Sequence, residues 1–130
     1  MWEENYRIPS IEDMEAILKF LSFIEHNQGV AITVSEQDLH KISSIFIREM
    51  RKHAFTAGSE HGTIFDSDWQ YLRNPQLIEE IDLPAIQRIL TFMWRCYVHV
   101  RPEEPFLHNQ EDRIVVLHIL KRISVLRKEI

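Results

Sequence analysis

The residues that decide the fold are 82–100, which read DLPAIQRILTFMWRCYVHV. Asp82 can cap a helix, and a proline in the first turn gives up only an amide that would have no partner there. Apolar residues then recur at steps of three and four, the period of one helix face. They are Leu83, Ile86, Leu90, Met93, Tyr97 and Val100, with Ile89 and Cys96 beside them. The pattern predicts a long amphipathic helix that ends before Pro102.

Similar signals predict three more long helices. Ser10 and Ser35 each have an aspartate three residues on, the spacing of a capping box, and Asn109 can cap the last helix. The apolar run 114–117 places the first half of that last helix in the middle of the fold. The predicted long helices cover about 10–27, 35–54, 83 to just before Pro102, and 109–127, with one or two short helices between 66 and 81, the first capped by Asp66. The chain is therefore expected to be all-α, a compact bundle of four main helices in a single domain over 1–130.

Two segments between the helices lack a helical pattern. Residues 30–34 are mostly β-branched and favour a short extended segment, which would form a hairpin if it paired with residues near 62–65. Residues 56–63 hold two of the three glycines and no large packing side chain. This second segment is expected to be the most mobile loop.

Length, charge and cysteine content exclude several classes of protein. The chain has 130 residues, 15 of them basic and 20 acidic, for a net charge of −5. A general nucleic-acid binder is disfavoured because the broad positive field that such binding uses is missing. No apolar run is long enough to span a bilayer, and the acidic start does not resemble a signal peptide. Cys96 is the single cysteine, which fits a reducing cytoplasm.

The charge is uneven along the chain. Residues 1–30 carry two basic and six acidic groups, whereas residues 111–130 carry five basic and three acidic groups. The basic residues of the last helix are Lys121, Arg122, Arg127 and Lys128. They would bind nucleic acid only if they formed a continuous basic face. A solvated helix face is the default interpretation, and a weak docking surface for an acidic partner is the alternative.

Strong metal and nucleotide signatures are absent from the sequence, so we expect no cofactor. The best metal-like pair is Cys96 with His99, because a spacing of three puts a thiolate and an imidazole on one side of a helix. Glu103, Glu104 and His108 could return further ligands from the proline-containing loop. The simpler interpretation is that Cys96 is a small buried hydrophobe on the apolar face.

The residues around the end of the same helix form a candidate ligand site. Its members are Trp94, Arg95, His99, Arg101 and His108. They would bind a small molecule or perform catalysis only if the fold brought them into one cleft. Ser59 and His61 superficially suggest an activated serine, but they lie on one glycine-containing loop, and catalytic partners normally come from separate rigid elements.

From Phe65 onward the sequence resembles a bacterial family of small proteins described only as a domain of unknown function. The resemblance lies mainly in residues 65–123. It is carried by Phe65-Asp66, Trp69, Tyr71-Leu72, Asn74-Pro75, Ile81-Asp82-Leu83, Ile86, Leu90-Thr91, Arg95, Ile114 and Ile119-Leu120-Lys121-Arg122-Ile123. The chain departs from the family at Ser67, where a tryptophan is usual, and at 100–106, where the family has an arginine-phenylalanine-glycine stretch. The resemblance implies a compact helical domain of bacterial type and no particular activity.

The sequence therefore favours a small cytoplasmic module that acts by binding a protein partner or itself and performs no catalysis. Its sharper form is a homodimer that uses an apolar part of the first or fourth main helix. The alternative is a small-molecule-binding or metal-binding protein, or an enzyme, with its site near Trp94, Arg95, His99 and His108.

Overall fold

The computed structural model of the protein describes residues 7–56 and 68–129, and every regular element in these two ranges is a helix. The helices are α1 (Ile11–Leu18), α2 (Leu21–Glu25), α3 (Glu36–Lys52), α4 (Trp69–Arg73), a 3₁₀ helix (Pro75–Glu80), α5 (Leu83–Val100) and α6 (Gln110–Glu129). The predicted all-α bundle is confirmed. None of the helices in these ranges is both long enough and apolar enough to cross a membrane.

Three helices begin where their capping residues predict. The Ser10 hydroxyl accepts from the backbone N–H of Asp13 at 3.2 Å, and the Asp13 carboxylate accepts from the backbone N–H of Ser10 at 2.8 Å, so both halves of the capping box form. The Ser35 hydroxyl accepts from the backbone N–H of Asp38 at 3.1 Å. Asp82 accepts from the backbone N–H of Ala85 at 3.0 Å. Each cap satisfies an amide that the first helical turn would otherwise leave unpaired.

The predicted first helix, 10–27, is wrong in its length, because it divides into α1 and α2. At the break, the backbone N–H of Phe20 bonds to the carbonyl of Ile17 at 3.2 Å, which is a tighter turn than an α-helix makes. The Phe20 ring then packs edge-on against Phe46 of α3, with the ring centroids 5.0 Å apart. Packing on a distant helix therefore accompanies a break that the local apolar period does not reveal.

The predicted extended segment at 30–34 is also wrong, since these residues form bends and no strand. The buried side chain of Asn27 organises the segment. Its Oδ1 accepts from the backbone N–H of Thr33 at 2.7 Å and from the Thr33 hydroxyl at 3.1 Å. These bonds use the Thr33 amide that a strand ladder would need. The predicted hairpin partner at 62–65, the Asp66 helix start and most of the 56–63 loop lie outside the described residues.

The long helix α6 runs through the middle of the bundle, as its apolar run predicts. Its residues Val115, Val116, Leu117, Ile119, Leu120 and Ile123 are all buried. Arg113, near its start, bonds to the carbonyl of Asn27 just after α2, whereas Arg127, near its end, pairs with Glu15 of α1. Helix α6 is therefore antiparallel to the α1–α2 pair and buries its apolar positions against it.

Helix α3 ends in a turn that suits glycine, although alanine occupies it. Ala54 has a φ of 68°, and the next backbone N–H, that of Phe55, bonds to the carbonyl of Met50 at 2.8 Å, as in a Schellman motif. An alanine in this left-handed conformation costs about 1–2 kcal/mol of backbone strain. Glycine would avoid the strain, but it would lose more backbone entropy on folding and would bury no methyl group, so the two effects nearly cancel.

We expect Ala54→Gly to change the free energy of unfolding by less than about 0.5 kcal/mol, because relief of backbone strain compensates the lost methyl group. The matched variant is Ala16→Gly in the helical backbone of α1, which should cost about 1–2 kcal/mol. Urea unfolding of the two variants makes the comparison. Equal losses in both would show that Ala54 carries no strain.

Candidate functional site

The structure places the five predicted ligand residues at the end of α5 and in the loop after it. The Trp94 ring faces the Arg51 guanidinium of α3, and Arg101 donates to Asp112 of α6 at 2.7 Å. Arg95 is half-buried and has interactions of its own, while the side chains of His99 and His108 are exposed. Trp94 and Arg101 are thus held by different neighbouring helices.

The expected burial of Cys96 is wrong, because the end of α5 leaves the core. Cys96 is exposed, and Val98 and Val100 are 41% and 69% exposed. Partial burial raises the pKa of the Cys96 thiol, as does Asp112, while Arg101 and Arg95 act in the opposite direction. Within 7–56 and 68–129 no group of three or more His, Cys, Asp or Glu side chains is placed to hold a metal ion.

A polar cluster joins the chain start, α1, α3 and α5 around the buried Asp13 carboxylate. Arg7 donates two hydrogen bonds to this carboxylate, and His53 Nδ1 lies 2.8 Å from its Oδ1. The Arg7 guanidinium, together with bonds from Ser10 and His53, holds the pKa of Asp13 well below its usual range. The nearby Gln87 Nε2 donates to the carbonyls of Arg7 at 2.7 Å and Ala54 at 2.6 Å.

The Asp13–His53 pair has the geometry of an acid–base pair, but its surroundings favour a structural role. Both carboxylate oxygens of Asp13 accept from Arg7, and one of them also accepts from Ser10, so the negative charge is already compensated. A carboxylate so fully engaged stabilises the junction of three segments. Of this cluster, the sequence predicts only the capping box of Ser10 and Asp13, because Arg7, His53 and Gln87 are brought together by contacts between distant segments.

A row of four cations runs along the exposed face of α3. This basic row consists of Lys41, Arg48, Arg51 and Lys52. At 3.6 residues per turn these positions fall within about a third of the helix circumference and extend over about 16 Å. Glu49 follows Arg48 in the sequence but lies outside this arc of the helix surface. None of the four forms an ion pair with any residue in the described part of the chain.

The basic row meets an aromatic residue at Arg51. The guanidinium carbon lies 4.9 Å from the centroid of the Trp94 ring, within cation–π distance. A cation stacked in this way keeps its N–H groups directed outward in the plane of the guanidinium, where they can reach an anion. Trp94 was a predicted ligand residue, but Arg51 lies 43 positions away in the sequence, so no local pattern predicts the contact between them.

The predicted basic face of α6 is interrupted. Arg122 donates to the backbone carbonyl of Ile81 at 2.8 Å, and Arg127 pairs with Glu15 at 3.0 Å. Lys121 and Lys128 remain exposed. Two of the four cations of α6 are therefore engaged within the bundle, whereas the cations of α3 form a continuous row without ion pairs in the described part of the chain.

The helices expected to form a homodimer contact expose only scattered apolar side chains. Ile11 of α1 is 38% exposed, and Val125 of α6 is 46% exposed. Single exposed apolar residues are common on monomeric proteins and do not mark an interface by themselves. The homodimer stays a prediction.

Comparisons of the sequence with protein-family models and with curated proteins, and of the structure with solved structures, find no match. The resemblance of residues 65–123 to a bacterial family therefore stays a prediction.

Proposed function

We propose that the protein is a non-catalytic binding module that docks an acidic protein partner through the basic row of α3. The observation that carries this proposal is the set of four cations on one exposed helix face without ion-pair partners in the described residues. Exposed like charges repel one another, so an anionic partner that neutralises them gains electrostatic energy on binding.

The net charge of the chain makes this row distinctive. Because the whole protein carries −5, the remaining residues carry −9 once these four cations are set aside. A partner with an extended acidic surface is attracted to the row and repelled elsewhere, which orients the encounter. Nucleic acid is the weaker candidate, since a polyanion longer than the row would also face those acidic surroundings.

The alternative of a small-molecule or catalytic site near Trp94, Arg95, His99 and His108 has less support. Arg51 occupies one face of the Trp94 ring, and both histidine side chains are exposed to solvent. A binding module with one cysteine and a family resemblance of bacterial type fits a bacterial cytoplasm, and we include that location in the proposal.

The test is calorimetric binding of poly-L-glutamate to the native protein and to the double variant Arg48→Glu/Arg51→Glu. We expect the double variant to bind at least about tenfold more weakly, because reversal turns two attractions into repulsions. The control is Lys121→Glu/Lys128→Glu, which makes the same change in net charge on α6. Its affinity should fall by less than about threefold.

Two outcomes would contradict the proposal. Equal losses in the two double variants would show that net charge alone drives binding. Tighter binding of duplex DNA than of poly-L-glutamate, with the same dependence on Arg48 and Arg51, would assign the row to nucleic acid. Added salt should weaken the native interaction in either case, because exposed charges are screened.

A further inference from the structure

We infer that the partner segment is an acidic amphipathic helix, which covers an apolar row on α5 while its acidic side pairs with the basic row. This inference rests on the proposed function and adds the shape and the apolar content of the partner. The apolar row consists of Trp94 and Val98, one helical turn apart on α5.

The two rows meet at the contact between Arg51 of α3 and Trp94 of α5. Gln87 bonds to the carbonyl of Ala54, and Trp94 lies against Arg51, so later residues of α5 meet earlier residues of α3. Further along, the order is the same but the link is indirect, since Tyr97 of α5 packs on Phe106 of the following loop, which stacks on Phe46 of α3. The two helices are antiparallel along this length.

Helical spacing places Val98 on the flank of α5 that faces α3. Residues 87, 94 and 98 are separated by seven and four positions, which return to nearly the same side of an α-helix. Gln87 contacts the turn after α3 and Trp94 contacts Arg51 of α3, and Val98 continues that line of α5 one turn further. Val98 is 41% exposed, and Trp94 is half-buried.

A charged row beside an apolar row is complementary to one kind of helix. A helix that carries acidic residues on one flank and apolar residues on the adjacent flank presents both to the two rows at once, as in helix-in-groove recognition. The apolar contact adds affinity near the centre, and the charge pairs fix the register. A purely acidic chain would leave Val98 in water.

A second copy of the protein does not fit this surface. In a two-fold symmetric dimer the same patch occurs on both partners, so a dimer formed through these rows would bring two cationic rows together. Repulsion between the two cationic rows would weaken such a dimer. The charge of the surface therefore favours a different protein over self-association here.

The experiment compares two synthetic peptides of identical composition, made of glutamate, leucine and alanine. One is patterned as an amphipathic helix and the other is scrambled. We expect the native protein to bind the patterned peptide about tenfold more tightly, because only that peptide places its leucines over Val98 and Trp94. Val98→Ser should remove most of this difference and leave poly-L-glutamate binding unchanged. The control is Val100→Ser on the opposite flank of α5, which should bind both peptides as the native protein does.

The outcomes separate this inference from the proposal on which it rests. Equal affinity for the two peptides, or equal effects of Val98→Ser and Val100→Ser, would overturn the amphipathic helix and leave the acidic partner standing. Failure of the native protein to bind any of the acidic probes would overturn both. A concentration-dependent dimer that Val98→Ser dissociates would overturn the inference in favour of a second copy.

Discussion

Replacement of Arg113 by methionine is expected to lower the free energy of unfolding by about 3–5 kcal/mol. Arg113 is 1% exposed and donates to four backbone carbonyls, those of Asn27, Gly29, Leu107 and His108. These carbonyls belong to two connections that are far apart in the sequence, the one after α2 and the one before α6. Methionine fills much of the volume and satisfies none of them.

Among the described residues, no carboxylate forms a hydrogen bond with the buried Arg113 guanidinium. Burial lowers the pKa of its guanidinium, while Glu111 and Asp112 act in the opposite direction. Arginine nonetheless stays protonated in proteins, so the side chain keeps all its donors. The carbonyl dipoles replace the water that burial removes.

Urea unfolding of Arg113→Met measures the predicted loss, with Arg127→Met as the matched control in the same helix. Arg127 pairs with Glu15, whose side chain is half exposed, and its loss should cost no more than about 1 kcal/mol. If Arg113→Met fails to fold, Arg113→Lys provides an intermediate variant that keeps the charge but not the planar array of donors. A stability of Arg113→Met within about 1 kcal/mol of the native protein would contradict the assigned role.

The second large effect is expected for Asp13→Asn, at about 2–3 kcal/mol at neutral pH. The asparagine amide lacks the negative charge that pairs with Arg7. Its NH₂ group also points at hydrogen-bond donors, in the place of a carboxylate oxygen that accepted hydrogen bonds from them. The loss is smaller than for a fully buried ion pair because half of the Arg7 side chain is exposed and water screens its charge.

The effect of Asp13→Asn should depend on pH. The native fold lowers the pKa of Asp13 below its usual value of about 3.9, so the stabilisation is complete above that pH and is lost as the pH falls further. The stability difference between native protein and variant should therefore be constant from pH 7 to about pH 5 and narrow from about pH 4 to pH 3. Glu12→Gln is the control, an exposed first-turn carboxylate in the same helix. A difference that stays constant over this range would show that the charge of Asp13 does not stabilise the fold.

Much of the fold could be predicted because its signals are local. Ser10, Ser35 and Asp82 cap helices within three residues of themselves, and the apolar period of 83–97 reports one buried face. The predictions fail where contacts with distant residues determine the backbone conformation. Helix α1 ends early where Phe20 packs on Phe46, and 30–34 is irregular because Asn27 takes the Thr33 amide.

The candidate site was less predictable, for the same reason. The sequence predicts the cations of α3 as a solvated face, but whether they have ion-pair partners among the described residues depends on where distant carboxylates lie in the fold. The apolar period of α5 continues through Cys96 and Val100, yet the end of the helix is exposed because it extends beyond the core. Neither the Arg51–Trp94 contact nor the burial of Arg113 has a local signal.

The most direct test of the proposed function is to titrate the isotope-labelled protein with poly-L-glutamate and follow the backbone amide resonances by NMR. The proposal predicts that the shifting resonances concentrate in residues 41–52 of α3 and around Trp94, with those of α6 near Lys121 and Lys128 unchanged. Shifts centred on α6, or spread evenly over the surface, would contradict the claim that the basic row of α3 is the docking surface.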